Sequence, residues 1–351
     1  MSDRWNPAGF KNRIDTLLAD FLAAEAERFL AIDGALAPVA GQLQAAAGHG
    51  KRLRAAFCYW GWRAAGQPDS DALLRAAASL ELVHAAAVVH DDLIDDSPLR
   101  HSLPTAHVAL RTAVTDRPRP RAAARALAML VGDHLMALAG QLFATSGLPV
   151  AYLTRARPVW ADLARELIAG ECLEILATGA RPDPEVSLKV VRYKTAKYTV
   201  EQPLLIGGLL AGAAPGLRAA LSAYGVPLGE AFQLRDDLLG LFGEPARTGK
   251  ASLDDIRGQR PTALLAATWQ AALPAQRERL AGVLGRRDLT EEDLREVREL
   301  MLTLKAPQRV EDMIAARVRD AVGHLHRLHH LPHPVRGALT DLAHSATDRH
   351  H

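Results

Sequence analysis

LELVHAAAVVHDDLIDDSPLRHSLPTAH, residues 80–107, decides how the chain is read. The run from Ala85 to Val89 is apolar, with no glycine or proline. It then runs into Asp91, Asp92, Asp95 and Asp96. On a helix, residues four apart share a face, so Asp91 and Asp95 project together, about 6 Å apart along the axis. Like charges at that spacing destabilise an isolated helix. The apolar run before them places the cluster at the mouth of a core rather than on an open face. A divalent cation removes the repulsion, and Mg2+ prefers hard carboxylate oxygens completed by phosphate oxygens and water. The plainer reading of the same residues is a solvated acidic helix end.

Working outward, the rest of the chain keeps the helical period. Leu73, Leu74, Ala77, Leu80 and Val83, with Ala87 next, recur at three- and four-residue intervals. Aromatic residues are 5% of the chain and alternating Val/Ile/Thr runs are hard to find, so the expected class is all-α. Breaks fall near Gly48–Gly50, Pro68–Ser70, Ser97–Pro104, Asp116–Pro120, Ser146–Pro149, Arg181–Pro184, Ala213–Gly216 and Gly243–Lys250. Most intervals exceed an average helix, which suits a bundle with a buried centre. No long linker divides the chain, so residues 1–351 read as one domain. The motif-bearing core covers about 30–325, followed by a polar His-rich tail over about 326–351.

Composition excludes several function classes. Lys plus Arg total 42 against 40 for Asp plus Glu, a formal charge of +2, which argues against nucleic-acid or membrane-surface binding. Cys58 and Cys172 form no spaced framework and suggest a reducing compartment. The start lacks an apolar signal core. The longest uninterrupted apolar stretch, Leu204 to Ala214, is too short to span a bilayer. The expectation is a cytoplasmic protein with no transmembrane segment.

A second carboxylate cluster stands in EAFQLRDDLLGLFGE, residues 230–244, where Asp236, Gly240 and Glu244 can share a face. Two carboxylate helices facing one another in a bundle can hold several Mg2+ ions and a diphosphate. Cations for that diphosphate are at hand. GKRLR, residues 50–54, opens a helix whose free N–H groups and dipole favour anions. Arg100, Lys194, Lys197, Lys250 and Arg260 are further candidates. Each run taken alone also reads as a solvated face. A binuclear hydrolase could use such parts, although it usually recruits His ligands.

With these motifs in view, the chain resembles the isoprenyl diphosphate synthase (polyprenyl synthetase) family of head-to-tail trans-prenyltransferases. The likeness runs in order through GKRLR at 50–54, ELVH at 81–84, HDDLIDDSPLR at 90–100, PT at 104–105 and GDHLMA at 132–137. It continues through KTAKYT at 194–199, FQLRDDLLG at 232–240, TGK at 248–250 and DDIRGQRPT at 254–262. The resemblance implies an all-α helical bundle around a deep central cavity and a homodimer. It implies ionisation of an allylic diphosphate and attack by isopentenyl diphosphate, assisted by three Mg2+ ions.

By position, the resemblance makes Asp91, Asp92, Asp95, Asp236 and Asp237 the metal-binding set. Arg100, Lys194 and Lys250 hold the allylic diphosphate. Lys51, Arg54 and His84 bind that of isopentenyl diphosphate, with Arg52, His101 and Arg260 in the same substrate-binding set. Thr195 and Gln233 line the carbocation site. Ala86 and Ala87, five and four residues before Asp91, form the chain-length pocket. Small residues there predict a product of at least twenty carbons, geranylgeranyl diphosphate first.

Four positions depart from the family pattern. His101 stands for a second arginine, His49 for a glycine, Arg260 for a lysine, and Gly240 for the last aspartate of the second motif. Asp236-Asp237-x-x-Gly240-x-x-x-Glu244 also loosely matches a metal motif of class I terpene cyclases, which keeps a cyclase as the alternative. A non-catalytic subunit of a heteromeric synthase is a third reading. A cyclase, however, has no use for a second diphosphate site at Lys51, Arg54 and His84.

Overall fold

The computed structural model describes residues 5–243, 256, 258–286, 289–328 and 331–347. Among the described residues, every regular element except one two-residue hairpin is helical. The chain forms two compact units. One comprises Met1–Ala156 with Ile206–Ala213, the other Arg157–Leu205 with Ala214–His351. The crossings at 156/157 and 205/206 lie inside helices, α7 (Val150–Ala177) and α9 (Gln202–Leu210), rather than in linkers.

The first unit holds α1 (Pro7–Ile32), α2 (Ala37–Ala47), α3 (Leu53–Ala64), α4 (Asp71–Ile94), α5 (Ala106–Ala109) and α6 (Pro120–Ala144). Helix starts follow local chemistry. Asn6 caps α1, its side chain accepting from the Gly9 N–H at 2.9 Å ahead of Pro7. Ser70 caps α4. Helix α4 packs chiefly on α6 and is buried around most of its circumference, which explains its Ala/Leu/Val content.

By length and composition α4 and α6 could each cross a membrane, a feature hidden when only uninterrupted apolar runs are counted. In α4, 72% of the apolar window is buried in the protein, against 44% in α6. Helix α4 is therefore a core helix, while α6 leaves Met129 and Leu130 exposed.

Between α4 and α5 the chain makes the antiparallel hairpin β1 (Leu99–Arg100) and β2 (Leu103–Pro104), paired Leu99 with Pro104 and Arg100 with Leu103. Strand patterning does not announce so short a ladder.

In the second unit α8 (Pro184–Val190), a π-helix (Val191–Glu201) and α9 run without interruption. Next come α10 (Pro215–Phe242), α11 (Ala263–Ala271), α12 (Pro274–Leu284), α13 (Glu291–Thr303), α14 (Ala306–Arg327) and α15 (His333–Thr347). Helix α10 packs on both the π-helix and α14. Leu234, Leu238, Leu264, Val297, Met301, Val310 and Ile314 share one core.

The segment expected to be a polar tail is instead the packed helix α15. Val335, Ala338, Leu339, Leu342, Ala343 and Ala346 recur at helical spacing and are buried. The Tyr224 hydroxyl donates to the Leu339 carbonyl at 2.7 Å. Histidines dominate the composition there and obscure the apolar stripe.

Candidate active site

Each unit carries its own set of candidate site residues. In the first, α4 ends where Asp91, Asp92 and Asp95 stand, with Asp95 as C-cap, its N–H donating to the Asp91 carbonyl at 2.9 Å. Asp91 and Asp95 are half-buried, whereas Asp92 is only 4% exposed. Arg100, presented by β1, donates to Asp92 Oδ1 from Nε at 3.0 Å and Nη2 at 2.6 Å, and from Nη2 to Asp91 Oδ2 at 3.0 Å. Burial lowers the Arg100 pKa, but Asp92 and Asp91 outweigh it and hold the guanidinium above its ordinary range. Asp92 thus fixes Arg100 from below.

Asp96, at φ +51°, leaves the cluster altogether. It pairs with Arg121 at 2.6 Å and Arg125 at 2.7 Å on α6, and lies 3.5 Å from the His107 imidazole. Arg125 also donates to the Leu93 carbonyl at 2.6 Å, capping the end of α4. These arginines escaped the sequence reading, although their four-residue spacing on α6 was visible.

The GKRLR stretch divides its labour. Lys51 is exposed and Arg54 buried. Arg52, 3% exposed, spends its guanidinium inward, on Asp15 at 2.6 Å and on the Ala47 and His49 carbonyls at 2.7 and 2.8 Å. Its place in the substrate-binding set is therefore indirect: it pins the loop rather than presenting a charge. One of the α3 N–H groups is also taken, since buried Glu81 accepts from Ala55 at 2.8 Å. His84 is half-buried. Its pKa is pushed well below the ordinary value by burial first, then by Arg54, Arg100, Arg52 and His101. It is a neutral imidazole at pH 7. Ala86 is buried and Ala87 half-buried on the same helix.

A β-carbon at Gly132 would meet the His90 imidazole at 2.3 Å, so the GDHLMA glycine lets α6 cross α4 one residue before Asp91.

In the second unit the π-helix carries Lys194 and Thr195. Wide helical turns of this kind are rare and gather at functional sites. Lys194 pairs with Glu171 at 2.9 Å and with Glu174, both on α7. Thr195 is buried. Lys197 donates to Glu166 at 2.8 Å and lies 3.6 Å from Glu201. Burial lowers its pKa, but Glu166 and Glu201 together raise it above the ordinary value. The α7 carboxylates 166, 171 and 174 went unnoticed in the sequence because no diphosphate motif contains them. Their recurrence at positions 166, 171 and 174 of one helix was the available signal.

On α10, Asp236 is half-buried and Asp237 buried. Gln233 donates to Asp237 Oδ1 at 2.8 Å, so those two side chains restrain one another. Gly240 is half-buried, and Arg260 likewise. Lys250 and Glu244 lie outside the described residues.

Hard carboxylate oxygens beside guanidinium or ammonium groups, as each unit carries them, suit a magnesium diphosphate. The chain matches known proteins over most of its length. The pattern of the polyprenyl synthetase family matches residues 39–301. The (2E,6E)-farnesyl diphosphate synthase of Mycobacterium tuberculosis is 32% identical over 86% of this chain and 80% of its own length. Nonaprenyl diphosphate synthase of the same organism is 31% identical, over 86% and 83%. A geranylgeranyl pyrophosphate synthase from Corynebacterium glutamicum, solved with isoprenyl diphosphate and magnesium, superposes with a TM-score of 0.93. It is 33% identical, over 98% of this chain and 100% of that one. The chain is therefore a member of the polyprenyl synthetase family, the all-α trans-prenyl diphosphate synthases.

Proposed function

We propose that the enzyme condenses an allylic diphosphate with isopentenyl diphosphate to give an all-trans product of at least twenty carbons, geranylgeranyl diphosphate first. The observation that carries the length is the pair Ala86 and Ala87 on α4, just before Asp91. Neither has a side chain able to block a growing prenyl chain. The relatives' names span farnesyl to nonaprenyl, so length follows from local sterics rather than from family.

Arg100, Lys194 and Lys250 are assigned to the allylic diphosphate, Arg260 to charge nearby, and Lys51, Arg54 and neutral His84 to isopentenyl diphosphate. Asp91, Asp95 and Asp236 supply carboxylate oxygens for Mg2+, a donor set without thiolate or imidazole that fits a hard cation. Bound Mg2+ offsets the negative charge that builds on the leaving diphosphate. Fixed lysines and arginines do the same from the protein side. Thr195 and Gln233 orient polar groups toward the allylic cation, and the departing diphosphate takes the final proton. The exposed apolar face of α6, with Met129 and Leu130, supports a homodimer.

Purified enzyme with Mg2+, isopentenyl diphosphate and farnesyl diphosphate tests this. Alcohols of twenty or more carbons should appear only after phosphatase treatment. A product stopping at fifteen carbons defeats the steric reading. Hydrocarbon released without isopentenyl diphosphate would mean a cyclase.

A further inference from the structure

Glu230 of α10 is only 4% exposed, yet it carries a carboxylate. Its Oε1 accepts from Arg192 Nε at 2.7 Å, and Arg192 Nη2 lies 2.7 Å from the same oxygen. Its Oε2 accepts from Arg317 Nε at 2.8 Å. One buried acid therefore joins the first turn of the π-helix, the middle of α10, and α14. All three elements belong to the second unit.

A buried ion triad is weak ground for stability, because taking charges out of water costs about as much as their attraction returns. What such a group supplies is direction. Charge-assisted hydrogen bonds to both oxygens hold the two guanidinium groups in fixed positions. Arg192 stands two residues before Lys194 and three before Thr195, so the clamp grips the π-helix immediately ahead of them.

The other end of the π-helix is held by α10 as well. Ser222 donates its hydroxyl to buried Glu201, the last π-helical residue, and Lys197 lies 3.6 Å from the second Glu201 oxygen. Between the two clamps, Gly225 and Gly229 bring the α10 backbone against Glu201 and Ala196. Ser222, Gly225, Gly229, Gln233 and Asp236 recur at three- and four-residue intervals and form one stripe along α10. The stripe that meets the π-helix thus continues into Gln233 and Asp236. Glycines allow close approach but have no side chain to interlock, so they leave the axial position open. The polar clamps close it. A small slip of α10 would carry Gln233 and Asp236 past Lys194 and Thr195.

We propose that Glu230 is a positioning residue of the reaction. Through Arg192, and backed by Arg317, it sets the register of the π-helix on α10, and so places Lys194 and Thr195 relative to Gln233 and Asp236. This rests on the reading of Lys194 and Asp236 as site residues. It gives Glu230 a role apart from the metal-binding carboxylates, and it brings in Arg192 and Arg317, which lie outside every sequence motif of the site.

Single-turnover condensation of farnesyl diphosphate with isopentenyl diphosphate under Mg2+ reads the chemical step apart from product release, and steady-state runs give each KM. Wild type is compared with E230Q, R192A, E230Q/R192A, R317A and D236N, with Tm recorded for each. E230Q and R192A should each lower the single-turnover rate about tenfold or more, and by more than either KM rises, because small misplacements of reacting groups act on the rate. E230Q/R192A should fall no further than the slower single variant, since both changes remove one link. R317A leaves that link in place, and should lower Tm while keeping the rate within about twofold of wild type. Arg192 is exposed, so R192A decides alone if E230Q does not fold.

A folded E230Q or R192A within about twofold of the wild-type rate overturns the proposal. So does an R317A loss equal to that of R192A, since the triad would then act only through stability, or losses that multiply in E230Q/R192A. D236N at the wild-type rate overturns the site reading beneath the proposal, a result distinct from an inactive D236N beside a fully active E230Q.

Discussion

Gly170 of α7 lies so close to Lys194 that a β-carbon at position 170 would fall 2.2 Å from the Lys194 nitrogen and 2.6 Å from its Cα. Helix α10 approaches the same π-helical segment in the same way. A β-carbon at Gly229 would come within 2.5 Å of the Ala196 carbonyl, and one at Gly225 within 2.7 Å of the Glu201 Cα. A π-helix is wider than an α-helix, and these side-chain-free strips give it room. The Lys194 ammonium and Thr195 hydroxyl are aimed by backbone packing.

Replacing Gly170 or Gly229 with Ala should therefore cost about 1–3 kcal/mol through overpacking. It should also lower kcat by more than it raises either KM, because the reactive segment is displaced. Gly282, on α12 with open space around it, is the control. There Ala should stabilise by about 0.5–1 kcal/mol. Urea unfolding with steady-state kinetics checks both. If G170A matches G282A, the close approach carries no consequence.

The aspartates of the first motif should separate into two behaviours. D91N removes a half-buried carboxylate assigned to Mg2+, and should cut kcat at least about a hundredfold with little change in Tm. D92N replaces the buried, charged acceptor of two Arg100 hydrogen bonds with a neutral amide oxygen. It should cost about 1–3 kcal/mol of stability and raise the KM of the allylic substrate. Identical effects in both variants would mean that Asp92 is a metal ligand like Asp91.

His84 gives a pH dependence whose sign is fixed. Its folded pKa lies well below its ordinary value, so in the window beneath about pH 6.5 the unfolded chain binds the extra proton. Stability from this group is present above that window and is lost as pH falls through it. His107 and His134 are displaced the same way, burial being the first cause in each, and add to the same acid limb. H84Q should flatten the fall in unfolding free energy between about pH 7 and pH 5. An unchanged slope would show that His84 is accessible to protons in the folded state.

Much of this was legible in the sequence, and the exceptions are instructive. The Gly/Pro breaks from Gly48 to Gly216 fall at helix ends or in connections, because those residues limit helices through backbone chemistry alone, while the last, beyond Gly243, lies outside the described residues. Pro158 and Pro227 nonetheless sit inside α7 and α10, where tertiary packing overrides the local penalty. The residues assigned to diphosphate could be proposed from sequence because their types are tied to their spacing. The supporting residues, Glu81 on Ala55, Arg125 on Asp96, and Glu171 and Glu174 on Lys194, were not. A partner chosen by three-dimensional proximity leaves no spacing to read.

The C-terminal helix offers a stability test away from the chemistry. Tyr224 is fully buried and donates to the Leu339 carbonyl, and buried Arg235 donates to the Thr347 carbonyl at 2.9 Å. Y224F should cost about 1 kcal/mol, the loss of one buried hydrogen bond. Removal of residues 333–351 should cost far more, because the apolar stripe of α15 is lost from the core. Comparable Tm values for the truncated and full chains would return this segment to the status of a tail.

The proposed product length rests on Ala86 and Ala87 of α4. Phe at Ala87, a half-buried position, adds a ring one helical turn before Asp91 without forcing it into the fully buried site at Ala86. A87F should therefore fold. Its main product should shorten to about fifteen carbons, because a ring excludes the volume that further isoprene units require. The allylic KM for a ten-carbon primer should stay near wild type, since the diphosphate contacts are untouched. Reversed-phase separation of the dephosphorylated alcohols reads the outcome directly. If A87F still makes the wild-type length, the floor is set by residues on another helix, and the alanine pair only permits what those residues decide.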